Sequence, residues 1–230
     1  MIPSFVEKEL SEQKARRRLP YPNIKIVHPK RNGRTIMPSF YELVLEGDKV
    51  EELGKEIEIY VIAERGQYML YDPVANRVSH LTEILPITKI RYGICLKTKK
   101  SILELKEEFG KDLKFVNIVF CLVNVKGEWI PAVLYLKGAS LQSWIVYKGK
   151  IEGDIIAKRL VLTLEDRKNG AVDYSVPVIK IFSEDAPLSD GDLSSIYSRF
   201  REEVNKYNIP DLELINTDTE DIETDTEVEF

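Results

Sequence analysis

Cationic and aromatic side chains alternate along several stretches of this chain: Arg65, Tyr68, Tyr71 and Arg77; Lys89, Arg91, Tyr92, Lys97, Lys99 and Lys100; Trp129 and Tyr135; Trp144, Tyr147, Lys148 and Lys150. That mixture suits single-stranded nucleic acid, because cations follow the phosphates while bases stack on aromatic faces, at about 1–3 kcal/mol per base. The same residues have a plainer use, since large aromatics fill cores and lysines cover solvated faces. Trp129 and Trp144 lean toward the core, whereas strand tyrosines divide evenly between the two uses. Candidate nucleic-acid contacts are Arg65, Tyr68, Tyr71, Arg91, Tyr92, Lys97 and Lys99, joined by Arg31 and Arg34 from a basic stretch nearer the N-terminus.

Catalytic signatures do not accompany them. The chain has no phosphate-binding lysine loop, no GxGxxG after a strand, no nucleophile elbow and no HExxH pair. Acidic pairs such as Asp190/Asp192 and Glu51/Glu52 sit in polar runs and read as solvated charge. Cys95 and Cys121 lie in apolar, strand-like surroundings without metal-ligand spacing, and His28 and His80 stand alone. Both thiols read as buried packing residues in a reducing compartment, with a single disulfide as the lesser alternative. A non-catalytic protein without cofactor or metal is expected.

Charge is distributed unevenly. The chain carries a net charge of −5, yet residues 211–230 hold nine carboxylates and no lysine or arginine, so residues 1–210 have 29 acidic against 33 basic side chains. A nominally acidic protein has a basic body. Residues 14–34 contain eight cations (Lys14, Arg16, Arg17, Arg18, Lys25, Lys30, Arg31, Arg34) and no carboxylate. An acidic segment poor in aromatics buries too little apolar surface to offset its ordering entropy, so the tail is expected to be disordered. It is either a solubiliser or a competitor for a basic groove that also docks partners through Asp225, Glu227, Glu229 and Phe230. The expected organisation is a basic arm at 1–19, one domain at 20–209 and the acidic tail at 210–230. No apolar leader or run of about 20 apolar residues is present, so a soluble, cytoplasmic protein is expected. Abundant Ile, Val, Lys and Glu with sparse Gln, Met, Cys and His fits a thermophilic source.

The elements that must position these side chains are mostly strands. Leu19-Pro20-Tyr21-Pro22 blocks helix continuation and leads into a strand at 24–27. Alternation at Ile57, Ile59 and Val61, followed by Arg65-Gly66-Gln67 and Tyr68 to Tyr71, predicts two strands joined by a tight turn. Further strands are predicted at 87–97, 115–125 and 128–136, the last two joined by a turn at 124–127, and a hairpin joins 159–165 to 172–182 through Asp166-Arg167-Lys168-Asn169-Gly170. Ser101 and Glu104 form a capping-box pattern ahead of Leu105 and Phe109, with Gly110 as the stop. Ser140 is a candidate cap for a second helix, and Leu193, Ile196, Tyr197, Phe200 and Val204 recur at helical spacing. The fold class is therefore mainly β (α+β), an OB-like β-barrel with inserted and flanking helices.

The segment Glu227-Val228-Glu229-Phe230 resembles the acidic, phenylalanine-closed tails of single-stranded-DNA-binding proteins, and Glu229 in place of proline leans toward the phage type. Residues 21–27, 57–62 with Tyr68 and Tyr71, 131–140 and the hairpin around Asn169-Gly170 look like a group of tailed-phage proteins of that kind. Some relatives in that group carry a zinc ribbon whose cysteines this chain lacks. The resemblance implies coating of single-stranded DNA during replication, recombination or repair, and recruitment of a polymerase or helicase through the tail. Two alternatives stay open: an interaction or structural protein that does not touch nucleic acid, and a metal-dependent DNA-processing enzyme. Oligomeric state is open.

Overall fold

Strand formers dominate the chain, and the strands they build make one large curled sheet. The structure, a computed structural model, describes residues 19–32, 35–45, 50–72, 74, 77–170, 172–183 and 191–206. In chain order the elements are β1 (Asn23–Val27), β2 (Lys30–Asn32), β3 (Thr35–Met37), β4 (Phe40–Val44), β5 (Val50–Gly54), β6 (Glu56–Asp72), β7 (Arg77–Leu81) and β8 (Leu85–Pro86). After a 3-10 turn at Ile87–Tyr92 come α1 (Ile102–Phe109), β9 (Leu113–Val125), β10 (Glu128–Leu136), α2 (Gly138–Lys148), β11 (Arg159–Asn169), β12 (Val172–Ser183) and α3 (Gly191–Asn205). The protein is mainly β, with a curled half-barrel sheet and a few helices.

The sheet runs β12-β11-β6-β9-β10-β1-β4-β5, with β7 and β8 added to β6, and β2-β3 form a separate two-stranded ribbon. Pairing in the large sheet is antiparallel except between β1 and β10. Side chains tie its two ends together. Ser39 Oγ and Ser175 Oγ each donate to Asp166 Oδ1 at 2.6 Å, Lys55 Nζ donates to Oδ2 at 3.2 Å, and the Ser175 N–H donates to His28 Nδ1 at 3.2 Å. Burial works against ionisation of Asp166, but the hydrogen bonds from Ser175, Ser39 and Lys55 outweigh it and hold its pKa below the ordinary carboxylate value.

Both faces of the central strands are covered. The inner face packs Ile24, Tyr41, Ile59, Cys121 and Leu162 around Trp144 of α2, while Leu193, Tyr197, Phe200 and Val204 of α3 close on Tyr60, Phe120 and Leu122 outside. This two-sided burial accounts for the unbroken apolar run from Ile118 to Val123 in β9, where a one-sided strand would alternate. Cys95 and Cys121 are both free and buried. Among the described residues, no helix is long and apolar enough to cross a membrane.

Several expectations are corrected. The hairpin expected around Gly66 is one continuous strand of 17 residues. A Cβ at Gly66 would lie 2.7 Å from Cε2 of Phe115 and 3.0 Å from Cδ1 of Ile90, so this glycine marks a close approach inside a strand and not a turn. Substituting Gly66→Val is accordingly expected to cost about 1–3 kcal/mol of stability through overpacking. Urea denaturation reads it, and an unchanged midpoint would show that the ring and Ile90 move aside freely.

The strand expected at 87–97 is instead the 3-10 turn followed by a loop whose backbone makes only isolated bridges, to Thr82 and to Ser101. The Asn169-Gly170 hairpin is tighter than expected: Asp166, Arg167 and Lys168 are paired within β11, and Gly170 carries the positive φ of +60°. Helix α2 begins at Gly138 without a side-chain cap, two residues before Ser140. The capping box at Ser101 and Glu104 forms as expected, and Gly110 ends that helix at φ +49°.

Candidate nucleic-acid interface

Between β7 and α1 the chain touches the sheet only through the short β8 and otherwise runs outside it. A Thr82–Cys95 bridge and an Ile94–Ser101 bridge cinch this excursion, and the Leu96 N–H donates to Leu81 O at 2.8 Å. Leu85 is buried beneath it, Ile90 reaches Gly66, and Gly93 sits against Ile102 and Leu85. At its tip the Cys95 N–H donates to Lys100 O at 2.8 Å and the Lys99 N–H to Cys95 O at 2.9 Å. Lys99 is held at φ +60°, an uncommon conformation for a residue with a side chain. Burial pushes the Cys95 thiol up, but hydrogen bonds to the sulfur, Thr98 foremost, outweigh it and lower its pKa.

The excursion displays cations. From Ile84 to Leu103 there are five basic residues and no carboxylate. Arg91, Lys97 and Lys99 are exposed and Lys89 is half-buried. The Arg91 guanidinium lies 4.7 Å from the centre of the Tyr92 ring and donates to its hydroxyl at 2.6 Å. Lys100 is engaged otherwise, pairing with Glu108 at 2.6 Å. Among the described residues Lys89, Lys97 and Lys99 make no ion pair.

Four of the expected contact residues, Arg91, Tyr92, Lys97 and Lys99, are thus brought into one excursion. Tyr71 is 49% exposed near the end of β6. Arg65 differs from the expectation of a solvent-facing cation. A bulge between Val61 and Ala63 shifts the pairing of β6 with β9, and Arg65 is only 9% exposed. Its Nη1 donates to Glu64 O, its Nε has no partner among the described residues, and burial lowers its pKa. Tyr68 is half-buried, with the Phe115 ring 5.4 Å away and Lys106 Nζ 5.2 Å from its centre, and it packs on Cys95, Leu105 and Leu113. The Arg31 backbone belongs to the β2-β3 ribbon, opposite Ile36. Arg34, Asp225, Glu227, Glu229 and Phe230, with the arm cations at 14–18, lie outside the described residues.

One cluster escaped the sequence reading. Glu64 accepts hydrogen bonds from Asn117 Nδ2 and Trp144 Nε1 at Oε1, both 2.8 Å, and from Lys148 Nζ at Oε2, 2.7 Å. It ties β6, β9 and α2 together and pairs with Lys148, one of the interleaved cations, whose side chain stays partly exposed. The available signal was a lone carboxylate following the apolar run Val61-Ile62-Ala63.

A concavity of about 400 Å³ lies on the α3 side between Tyr21, Trp129 and Pro131 and the helix residues Ile196 and Arg199. Among the described residues no three His, Cys, Asp or Glu side chains are grouped to hold a metal ion. Compared with protein-family models, curated proteins and solved structures, the chain finds no match.

Proposed function

We propose that this chain is a non-catalytic single-stranded-DNA-binding protein that supports replication, recombination or repair in the cytoplasm, the host's if the chain is viral. The observation that carries the reading is the excursion from Ile84 to Leu103, whose cations have no carboxylate among them and of which Arg91, Lys97 and Lys99 stand in solvent. Concentrated positive potential of this kind attracts a polyanion and is screened by salt. The curled, partly open sheet with a single parallel pair supports an OB-like barrel as the scaffold. A labelled oligonucleotide, followed by fluorescence anisotropy across a salt series, tests the reading. Affinity that falls steeply with salt is expected, and no binding at low salt would favour the alternative of an interaction protein that leaves nucleic acid alone.

The acidic residues 211–229 are proposed to compete for the same cations and, once displaced by DNA, to recruit a polymerase or helicase through Asp225, Glu227, Glu229 and Phe230. Charge complementarity supports this, since the nine carboxylates of 211–230 oppose a basic body. Truncation after Pro210 is expected to raise oligonucleotide affinity, most at low ionic strength, where screening is weakest. Identical affinities for the full and shortened chains would remove competition from the proposal.

A further inference from the structure

Resting on the nucleic-acid reading above, we infer that the excursion grips a phosphodiester chain by its phosphates and leaves the bases unread. Several of the aromatic side chains that would stack bases are already engaged. Tyr60 lies 4.7 Å from Trp129, Tyr68 faces Phe115 and Lys106, and Arg91 covers Tyr92. Among the residues whose side chains are described, Tyr71 is the one aromatic more than a third exposed. A single such ring falls short of the row of stacking platforms on which base-dependent binding of single strands is built.

The cations are differently placed. Lys97 lies within a turn that the Lys99 N–H closes onto Cys95 O, so both stems start from fixed positions. Lysine ammonium groups act on phosphate as point charges and do not demand the planar match that arginine makes with a base edge. Arg91 is held against Tyr92, with one of its guanidinium nitrogens committed to the phenolic oxygen. The ligand class that fits is therefore a phosphodiester chain of any sequence.

The test compares the full chain's binding to an oligothymidylate of about twenty nucleotides and to an abasic oligomer with the same number of phosphates, about twenty being longer than the site sizes of about 4–16 nucleotides usual for such grooves. Dissociation constants within about threefold of each other are expected, because even one stacked base contributes about fivefold or more. A weakening of about fivefold or more on the abasic oligomer would overturn the inference and leave the nucleic-acid reading intact. Absence of binding to both oligomers at low salt would overturn both. As a second arm, Tyr71→Ala is expected to leave oligothymidylate affinity within about twofold, and a larger loss at an unchanged salt slope would identify a stacking contact and overturn the inference.

Discussion

Replacing Glu64 with leucine is expected to lower the free energy of unfolding by about 3 kcal/mol, read as a fall in the urea midpoint at an unchanged slope. Leucine roughly fills the space but accepts nothing. The Trp144 indole N–H, on a side chain that is fully buried, then loses its acceptor, and so does Asn117 Nδ2, whose Oδ1 already lacks a partner. Each buried polar group left unpaired costs about 1–3 kcal/mol. Lys148 adds less, because its side chain is 37% exposed and water takes over its solvation. Glu64→Gln keeps an acceptor on the same stem and is expected to cost about half as much. If the leucine variant unfolds at the wild-type urea concentration, the cluster is not what anchors α2 to the sheet. A double-mutant cycle with Trp144→Phe isolates the indole contact, since residues sharing a hydrogen bond couple by about 0.5–3 kcal/mol.

Reversing both charges in Lys97→Glu/Lys99→Glu is expected to weaken oligonucleotide binding by on the order of tenfold or more at low salt, to a similar extent for every sequence. The companion double substitution with alanine is expected to flatten the dependence of log affinity on log salt by about 1.4, at about 0.7 per phosphate contact on a single strand. Both side chains are exposed and free of carboxylate partners among the described residues, so their loss leaves the fold unharmed. Lys100 serves as the control. Its ammonium is already committed to Glu108, and Lys100→Ala is expected to shift the slope by less than half as much. An unaltered slope in the alanine pair would exclude the excursion as the contact surface.

How much of this was legible in the sequence varies by element for physical reasons. The capping box at Ser101 and Glu104 is local chemistry: the serine hydroxyl and the glutamate carboxylate satisfy each other's backbone donors within one turn, so spacing alone reveals it. The Asn124 to Gly127 turn is equally local, with the Gly127 N–H donating to Asn124 Oδ1 at 2.8 Å and positive φ at Lys126 and Gly127. Leu193, Tyr197, Phe200 and Val204 share one face of a helix by period, and that face is the buried one.

Gly66 was misread because glycine carries two meanings. It permits a turn, and it also permits another chain to come close; only the position of Phe115, 49 residues away in sequence, separates the two. Arg65 was misread for a related reason: beside a tight turn it would stand in solvent, whereas in a continuous strand covered on both faces it is buried.

By itself, then, the sequence determined the local pieces and the charge layout: a mainly β chain, a capped helix, an amphipathic final helix, a cation-rich stretch without carboxylates, and an acidic segment set against a basic body. Those follow from neighbours within a few residues or from composition. Tertiary structure alone decided which cations remain in solvent and which aromatics are occupied. Lys148 is drawn to Glu64 across 84 positions, and Tyr60 packs on Trp129 across a curled sheet. Such pairings depend on register, bulges and sheet curvature, and those are set by the joint burial of both sheet faces, which no local stretch of sequence specifies.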